Sequence, residues 1–261
     1  MKMYQETSYL IALETKEELF EGMYINSELP TISLRTVKYK DKKLVIIGGM
    51  GHKTGEKIDL KDRYKKLEEI ANVLYPGCKI LYRWNTEDCI SLDKIPYIGE
   101  FSNLMENVYV ATGFKKWGMT LSNVSANILK DKILGRENRY EEVFTSTRLE
   151  PIKNYQEVKN VLKETSYSLI INKLKNSEEY IKDVKQGEGK IVQVEGKKVG
   201  VYRDEDGKAY MLKPYCSHLG CELSWNNLDN TWDCPCHGSR FTYKGKSIYD
   251  PSIKDLDILE I

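Results

Sequence analysis

The sequence predicts an α+β N-terminal domain, with a mixed sheet and helices, followed by a helical spacer and an all-β C-terminal domain. Three observations support this prediction. Strand-like and helical segments alternate before residue 150, an amphipathic stretch occupies 155–174, and short alternating strands with glycine turns follow residue 180. The length of 261 residues suits two domains. We therefore predict domains at 1–150 and 179–261, joined by a helical linker at 151–178.

The first domain begins with short strands that polar, glycine and proline residues separate. These strands are predicted at 8–13, 23–25, 33–39 and 44–47. A helix is predicted at 59–74, because apolar side chains recur there at helical spacing and Pro76 and Gly77 end the pattern. The remaining predicted elements are strands at 79–84 and 107–111 and a helix at 120–134, which Gly135 closes.

The C-terminal domain shows a different pattern. Its segments are short, alternate between apolar and polar residues, and are separated by turns at Gly196 and Gly207. Strands are predicted at 190–194, 198–202 and 209–213, which is typical of an all-β domain.

Charge and hydropathy argue against two classes of protein. The chain has 40 Lys and Arg against 39 Asp and Glu, so it lacks the basic excess that a nucleic-acid-binding surface usually shows. No apolar run approaches the roughly 18 residues of a membrane span, and residues 1–18 are too acidic for a signal peptide. We therefore expect a cytoplasmic protein with no nucleic acid partner and no transmembrane segment.

Cysteine and histidine are concentrated near the C-terminus. Four of the six cysteines and two of the three histidines lie between Cys216 and His237, in the pattern C-x-H, fifteen residues, C-x-x-H. Dense cysteines in a cytosolic protein indicate a metal site more often than a disulfide framework. Two thiolates and two imidazoles suit tetrahedral zinc or a [2Fe-2S] cluster. The arrangement favours two irons, because each loop supplies one Cys and one His, and structural zinc is the alternative.

These two loops closely resemble those of the Rieske iron–sulfur family, and the resemblance covers roughly 181–261. In that family one Cys from each loop binds the inner iron of a [2Fe-2S] cluster, and one His from each loop binds the outer iron. Neutral imidazoles leave less negative charge on the cluster, so such centres are reduced at roughly −150 to +300 mV, against about −400 mV for all-cysteine plant-type clusters. The ligands that the resemblance implies are Cys216 and Cys234 for the inner iron and His218 and His237 for the outer one.

The resemblance extends to residues around the ligands. It implies a disulfide between Cys221 and Cys236 that clamps the two loops, a feature of the respiratory and photosynthetic type. It further implies that Ser239 tunes the cluster by donating to a bridging sulfide, and that 250–252 covers the cluster. High-potential members have a tyrosine where this chain has Phe241, which cannot donate, so we predict a midpoint potential below theirs.

The glycine-rich segment 43–51 follows the pattern of a strand but departs from the dinucleotide-binding fingerprint. Its third glycine, Gly55, comes one residue late, and 53–61 is polar rather than the start of an amphipathic helix. We therefore predict a strand that ends in a glycine-rich turn.

Two segments of the first domain resemble the C-terminal part of FAD-dependent oxidoreductases of the D-amino-acid oxidase and glycine oxidase type. They are the Asp-x-x-Pro-x-Ile-Gly stretch at 93–99 and the glycine-rich strand–helix junction at 113–120. In that family both line the flavin, and a helix start with small residues lets backbone N–H groups approach an electron-rich ring. The cofactor-binding residues that the resemblance implies are Asp93, Pro96, Gly99, Gly113, Trp117, Gly118 and Met119.

The flavin resemblance covers about 1–136 and lacks one element of the family. The phosphate-binding GxGxxG that opens the family's chain has no counterpart here, so 1–84 would match the substrate-side sheet. We expect either a fragment of a longer flavin–Rieske fusion or a second polypeptide that supplies the missing half. FAD should then bind weakly or not at all to this chain alone.

These features predict an oxidoreductase in which a flavin site oxidises a small amine or amino acid and a Rieske cluster passes the electrons on singly. The expected partners are that substrate and a protein or quinone-like electron donor or acceptor. The alternatives are a stand-alone Rieske carrier whose N-terminal domain only docks, and a zinc-stabilised interaction module. No catalytic side chain is identified; Arg35, His52 and Arg83 could contact substrate, although a surface ion pair is the expected role of each.

Overall fold

A computed structural model describes residues 3–17, 20–56, 60, 62–148, 159, 163 and 180–259. The chain divides into two compact units. The first consists of Met1–Gln5 and Asp88–Leu174, and the second joins Glu6–Glu87 to Lys175–Ile261. The second unit therefore contains both the N-terminal strands and the segment with the paired cysteines and histidines.

A five-stranded sheet with the order β2-β3-β4-β1-β5 forms the N-terminal part. The pairs β2–β3, β3–β4 and β4–β1 are antiparallel. Tyr9, Ile11 and Val45 lie in its main core, against which the helix α1 packs. The bounds are β1 Met3–Glu14, β2 Met23–Ile25, β3 Ile32–Tyr39, β4 Lys42–Lys53, β5 Lys79–Ser91 and α1 Asp62–Leu74.

The helix α1 follows from its sequence pattern. Leu67 and Ala71 are its buried residues, four positions apart on one face. Asp62 lies in its first turn, where an acidic side chain stabilises the positive end of the helix dipole. Gly77, at φ +72°, follows the end of the helix and reverses the chain toward β5. The prediction of a helix at 59–74 is confirmed at 62–74. Leu60 lies before the helix, and 59 and 61 are outside the described residues.

The glycine-rich end of β4 corrects one prediction. The strand continues through Gly48, Gly49 and Gly51 to Lys53, so the predicted glycine-rich turn at 48–51 is wrong. The glycines permit close strand packing, since a Cβ added to Gly49 would lie 2.6 Å from the carbonyl oxygen of Thr31. Rejection of a dinucleotide-binding loop at this position is confirmed, because these glycines belong to a strand.

Between residues 88 and 148, the first unit contains a β-hairpin and two helices. The hairpin pairs β6, Tyr97–Ser102, with β7, Met105–Thr112, and the helices are α2, Gly118–Ile133, and α3, Glu141–Phe144. The predicted strand at 107–111 lies within β7, and the predicted helix at 120–134 corresponds to α2. The strand β6 was not predicted from the sequence.

The C-terminal part consists of two small antiparallel sheets after a short 3-10 helix at Ile181–Asp183. Strands β8, β9 and β10 agree with the three predicted strands, which confirms an all-β architecture for this part. The sheet orders are β10-β9-β8 and β11-β12-β13-β14. Their bounds are β8 Glu188–Val194, β9 Lys197–Arg203, β10 Ala209–Leu212, β11 Ser224–Asn226, β12 Thr231–Asp233, β13 Arg240–Thr242 and β14 Ser247–Tyr249.

The predicted helical linker at 151–178 lies outside the described residues, apart from Lys159 and Lys163, which are helical. The domain bounds at 150 and 178 therefore stay a prediction. None of the helices in the described part of the chain combines the length and apolar character needed to cross a membrane.

Candidate metal centre

The predicted ligands lie on two loops that share the same pattern of backbone hydrogen bonds. In the first ligand loop, 216–221, the amide of Cys216 donates to the carbonyl of Cys221 at 2.8 Å, and Gly220 donates to Cys216 at 2.7 Å. In the second ligand loop, 234–239, the amide of Cys234 donates to Ser239 at 2.8 Å and Gly238 donates to Cys234 at 2.9 Å. Backbone bonds thus close each loop on its own first cysteine.

A disulfide joins the two loops. It links Cys221 of the first ligand loop to Cys236 of the second, and each of these residues is 1% exposed. The sulfurs of Cys221, Cys234 and Cys236 lie within 4.8 Å of one another. Because two of these three sulfurs are spent on the disulfide, only Cys234 of this group has a thiol that can ligate a metal.

The structure brings the thiols of Cys216 and Cys234 together. Both are free and buried, and a hydrogen bond from the Cys234 thiol lowers the pKa of Cys216 to about 6. The same bond, together with burial, raises the pKa of Cys234 above its ordinary value. Backbone amides of His218 and Leu219 and the Ser239 hydroxyl also donate to the Cys216 sulfur. These donors would stabilise a metal-bound thiolate.

The two histidine rings lie side by side at the tips of the ligand loops. The ring centroids of His218 and His237 are 5.0 Å apart, with the planes 76° to each other. Nδ1 of His237 is buried and has no hydrogen-bond partner among the described residues, whereas His218 is exposed. Burial, followed by the neighbouring His218, lowers the pKa of His237. A neutral imidazole with an unpartnered buried nitrogen beside two converging thiols fits a mixed Cys and His metal centre.

The segment 250–252, which is expected from the sequence to cover the cluster, is hydrogen-bonded to both ligand loops through Ser252. Ser239 is fully buried, and its Oγ accepts a hydrogen bond from the Ser252 amide at 3.0 Å. The Ser252 hydroxyl in turn lies 2.6 Å from that of Ser217 in the first ligand loop. Both loops are therefore tied to the same covering segment.

A buried ionic network beside the second ligand loop was not predicted from the sequence. Arg240 donates to Asp233 at 3.0 Å and to Asp229 at 2.7 Å. Its third carboxylate partner is Glu87, at 3.2 Å, and Asn85 accepts a further hydrogen bond at 2.9 Å. Burial raises the pKa of Glu87 to about 8, although Arg240 opposes the shift. One cation here faces three carboxyl groups, and a protonated Glu87 reduces the excess negative charge.

The residues with a flavin resemblance lie in the first unit. Asp93 forms an ion pair with the buried Arg148 at 2.7 Å, and Arg148 also donates to the carbonyl of Pro96 at 2.9 Å. Burial acts to raise the pKa of Asp93, but hydrogen bonds led by Arg148 lower it overall. Asp93 and Pro96 are thus held by Arg148, a residue that sequence analysis had not singled out.

The glycine-rich junction lies at the start of α2. Gly99 and Gly113 have positive φ values of +140° and +78°, and Gly118 is the first residue of α2. Trp117 occupies the N-cap position, and no side-chain cap hydrogen bond is present there in the described part of the chain. Trp117 is 55% exposed and Met119 is 88% exposed. Glycines before and at the start of α2 leave room for an electron-rich ring to approach the backbone N–H groups of its first turn.

The three residues considered for substrate contact differ in their surroundings. Arg83 makes the expected surface ion pair, with Glu68 at 2.6 Å. Arg35 is exposed. The expectation of a surface role is wrong for His52, which is 7% exposed and stacks on Tyr9 with ring centroids 5.7 Å apart. Its burial lowers its pKa to about 4.

Comparison with known proteins identifies two families in one chain. Residues 1–132 match the family described as FAD dependent oxidoreductase, and residues 177–260 match the Rieske [2Fe-2S] domain. A Rieske 2Fe-2S iron-sulfur protein of Bacillus subtilis (strain 168), YhfW, is 39% identical over 260 residues, which is 100% of this chain and 51% of YhfW. The chain thus spans about half the length of this curated relative.

Other similar proteins match one part each. The cytochrome b6-f complex iron-sulfur subunit of Synechococcus sp. (strain JA-3-3Ab) is 42% identical over 50 residues, 19% of this chain and 29% of that protein. The crystal structure of glycine oxidase from Geobacillus kaustophilus is 18% identical, with a TM-score of 0.46, over 56% of this chain and 40% of that one. The chain belongs to the FAD dependent oxidoreductase family through its N-terminal half, and its C-terminal part is a Rieske [2Fe-2S] domain.

Proposed function

We propose that this chain takes part in the flavin-dependent oxidation of a small amine or amino acid and passes the electrons on one at a time. The observation that carries the proposal is the pair of Cys and His loops, with converging thiols and an unpartnered His237 Nδ1, in a chain of the FAD dependent oxidoreductase family. When bound, FAD supplies two-electron oxidation of the substrate and the [2Fe-2S] cluster supplies one-electron transfer.

The ligand loops would hold the cluster with residues from both sides. Cys216 and Cys234, which already share a hydrogen bond, would bind the inner iron. The outer iron would be bound by His218 and His237, whose rings lie side by side. Since Ser239 and backbone amides donate to the Cys216 sulfur, they would offset negative charge at the centre and favour its reduced state.

His218 marks the side on which an electron partner would dock. It is exposed, as is its neighbour Leu219, whose side chain is 58% exposed. An exposed imidazole edge beside an apolar side chain suits a protein or quinone-like partner. We place the reaction in the cytoplasm, where burial of Cys221 and Cys236 would protect the disulfide from reductants.

The flavin side of the proposal depends on the 93–99 turn and the start of α2. Arg148 fixes that turn, because it binds both Asp93 and the carbonyl of Pro96 and lies 3.9 Å over the Tyr97 ring. The turn would therefore present a rigid wall to a flavin, and the uncapped N–H groups of α2 would face its electron-rich part. The remaining half of the family's fold would supply the phosphate-binding loop.

The cluster is tested with anaerobically purified protein. We expect two irons and two acid-labile sulfides per chain, a reddish-brown colour and a low-temperature EPR signal after reduction. Cys234→Ser should abolish all three, whereas Cys78→Ser, at a free half-buried cysteine, should leave them unchanged. Colourless protein that contains zinc and no sulfide would overturn the proposal in favour of a zinc-stabilised module.

The flavin role is tested in two steps. Titration of FAD into this chain alone should show weak binding or none, and stoichiometric binding at micromolar concentration would contradict that expectation. With the remaining flavin-binding half supplied, small amino acids and amines should bleach the flavin and then reduce the cluster. A redox-active cluster without substrate-dependent bleaching would overturn the flavin role and favour a stand-alone electron carrier.

A further inference from the structure

A turn of the N-terminal sheet contacts the second ligand loop. Gly55, just after β4, has φ +76°, and a Cβ added there would lie 2.4 Å from the backbone nitrogen of Pro235 and 2.7 Å from the carbonyl carbon of Cys234. Real Cβ atoms do not approach backbone so closely. The backbone of Gly55 is therefore packed directly against the backbone of a ligand residue.

Buried hydroxyl groups fix this turn on both sides. The Ser224 hydroxyl donates to the carbonyl of Gly55 at 2.8 Å and also lies 3.3 Å from the carbonyl of Asp233, the residue before Cys234. On the sheet side, the hydroxyls of Thr7 and Thr54 are hydrogen-bonded at 2.8 Å. The turn is thus anchored to β1 and to the strand that leads into the second ligand loop.

The ionic network holds the other end of the same loop. Arg240 begins β13 directly after the second ligand loop and reaches Asn85 and Glu87 on β5. It also binds Asp233, so both ends of the loop converge on one guanidinium. Together, the Gly55 turn and this network hold 233–240 against the five-stranded sheet.

We propose that Gly55 is a positioning residue of the iron–sulfur centre, because its turn fixes the backbone of Cys234 and Pro235 and so sets the directions in which Cys234 and His237 meet the iron. Outer contacts that orient metal ligands tune both affinity and redox potential. The N-terminal sheet would then act on the cluster's midpoint potential as well as on docking. This inference rests on the cluster proposed above and is independent of the flavin role.

The test compares two glycine variants in the full chain with its cluster. Gly55→Ala and Gly196→Ala both place alanine at a φ of +76°, but a Cβ at Gly196 would meet no atom of the described residues within 4 Å. We expect Gly55→Ala to shift the EPR g-values and the midpoint potential and to lose iron to a chelator about tenfold faster. Gly196→Ala should match the wild type in all three.

A second variant and a measurement on iron-free protein test the proposal even if Gly55→Ala does not fold. Ser224→Ala removes the hydroxyl that holds Gly55 and adds no atoms, so it should move the g-values in the same direction by a smaller amount. In the iron-free chain, Ser224→Ala should also speed hydrogen exchange at the Gly238 amide, which donates a hydrogen bond to the carbonyl of Cys234. If Gly55→Ala and Ser224→Ala both match the wild type in g-values, midpoint potential and iron loss, the positioning role is overturned and the cluster proposal stands. If the wild type contains no iron, the cluster proposal itself is overturned.

Discussion

Two buried side chains in and beside the second ligand loop bear on the midpoint potential predicted for the cluster. Ser239 is fully buried, accepts from the Ser252 amide and donates to the Cys216 sulfur. Phe241, two residues further on, is also fully buried and offers no donor. Because hydrogen bonds around a cluster tune its redox potential, the donor at Ser239 should raise the midpoint potential, and Phe241 should add nothing to it.

Phe241→Tyr should raise the midpoint potential by about 40 mV. A new hydrogen bond is worth about 1 kcal/mol, and for one electron about 59 mV corresponds to a tenfold change. Voltammetry of the wild type and the variant measures the shift. Ser239→Ala, which removes a donor, should lower the potential by a similar amount, and an unchanged or lower potential in Phe241→Tyr would contradict this account.

Glu87→Gln should alter the pH dependence of stability. The native pKa of Glu87 is about 8, whereas an unfolded Glu titrates near about 4.3. Its contribution is therefore fully present below pH ~4.3 and is lost as the pH rises toward ~8. Between pH 5.5 and 8 the wild type should lose roughly 2–3 kcal/mol of unfolding free energy that Glu87→Gln does not lose.

Urea denaturation at several pH values measures this difference. Glu106→Gln, at an exposed position, serves as the control and should keep the wild-type slope. Equal slopes for Glu87→Gln and the wild type would show that Glu87 is not held protonated in the folded chain.

At the scale of elements, each ligand loop closes itself and a disulfide joins the pair. Strands β11 to β14 are only three residues long, so hydrogen bonding in this sheet gives limited support to the six-residue ligand loops. The Cys221–Cys236 bond and the covering segment 250–252 supply the rest.

Replacing both Cys221 and Cys236 by Ser should weaken the loops. A disulfide that closes 15 residues is worth about 3 kcal/mol in the chain-entropy description. We expect a loss of that order in unfolding free energy and faster fading of the cluster's visible absorption. Cys78→Ser changes a cysteine outside the disulfide and should have a small effect; equal fading in both variants would argue against a clamping role.

The elements themselves were predicted with uneven success. β2 and β8 to β10 follow from alternating residues and glycine turns, and α1 and α2 follow from helical spacing. The continuation of β4 was missed, because three closely spaced glycines usually indicate a turn and only the approach of Thr31 shows why a strand needs them. Likewise, β6 is interrupted in its pattern by Gly99 and has no clear period.

At the scale of the whole molecule, the Rieske domain and the N-terminal sheet share one compact unit. Asn85 and Glu87 of β5 complete the network of Arg240, and Ser224 binds Gly55. Because these contacts are buried and charged, unfolding of either part leaves unpaired charges in the other. The two parts should therefore unfold together.

Arg240→Leu should expose this coupling. Removing one partner of a buried ion network costs about 3–5 kcal/mol, because the remaining carboxylates stay buried and unpaired. Hydrogen exchange should accelerate in β12 and β13 and also at Asn85 and Glu87 on β5. The control is Arg83→Leu, which breaks the partly exposed ion pair between Arg83 of β5 and Glu68. Such a pair is worth about 0–1 kcal/mol, so hydrogen exchange in β12 and β13 should stay as in the wild type.

The coupling would be refuted by one pattern. If Arg240→Leu accelerated exchange only within 188–259 and left β5 as in the wild type, the N-terminal sheet and the Rieske domain would unfold separately. The Arg240 network would then join the two parts without coupling their unfolding.

The amino-acid sequence alone predicted the ligand set, because Cys216, His218, Cys234 and His237 lie on two short loops whose local pattern resembles that of the Rieske family. Only the tertiary structure decided that Gly55 and Asn85 pack against the second ligand loop. The hydrogen bonds that link them to Ser224 and Arg240 join residues 169 and 155 positions apart. Contacts at such separations arise when the sheet and the loop fold onto each other, so they leave no periodic pattern in the sequence.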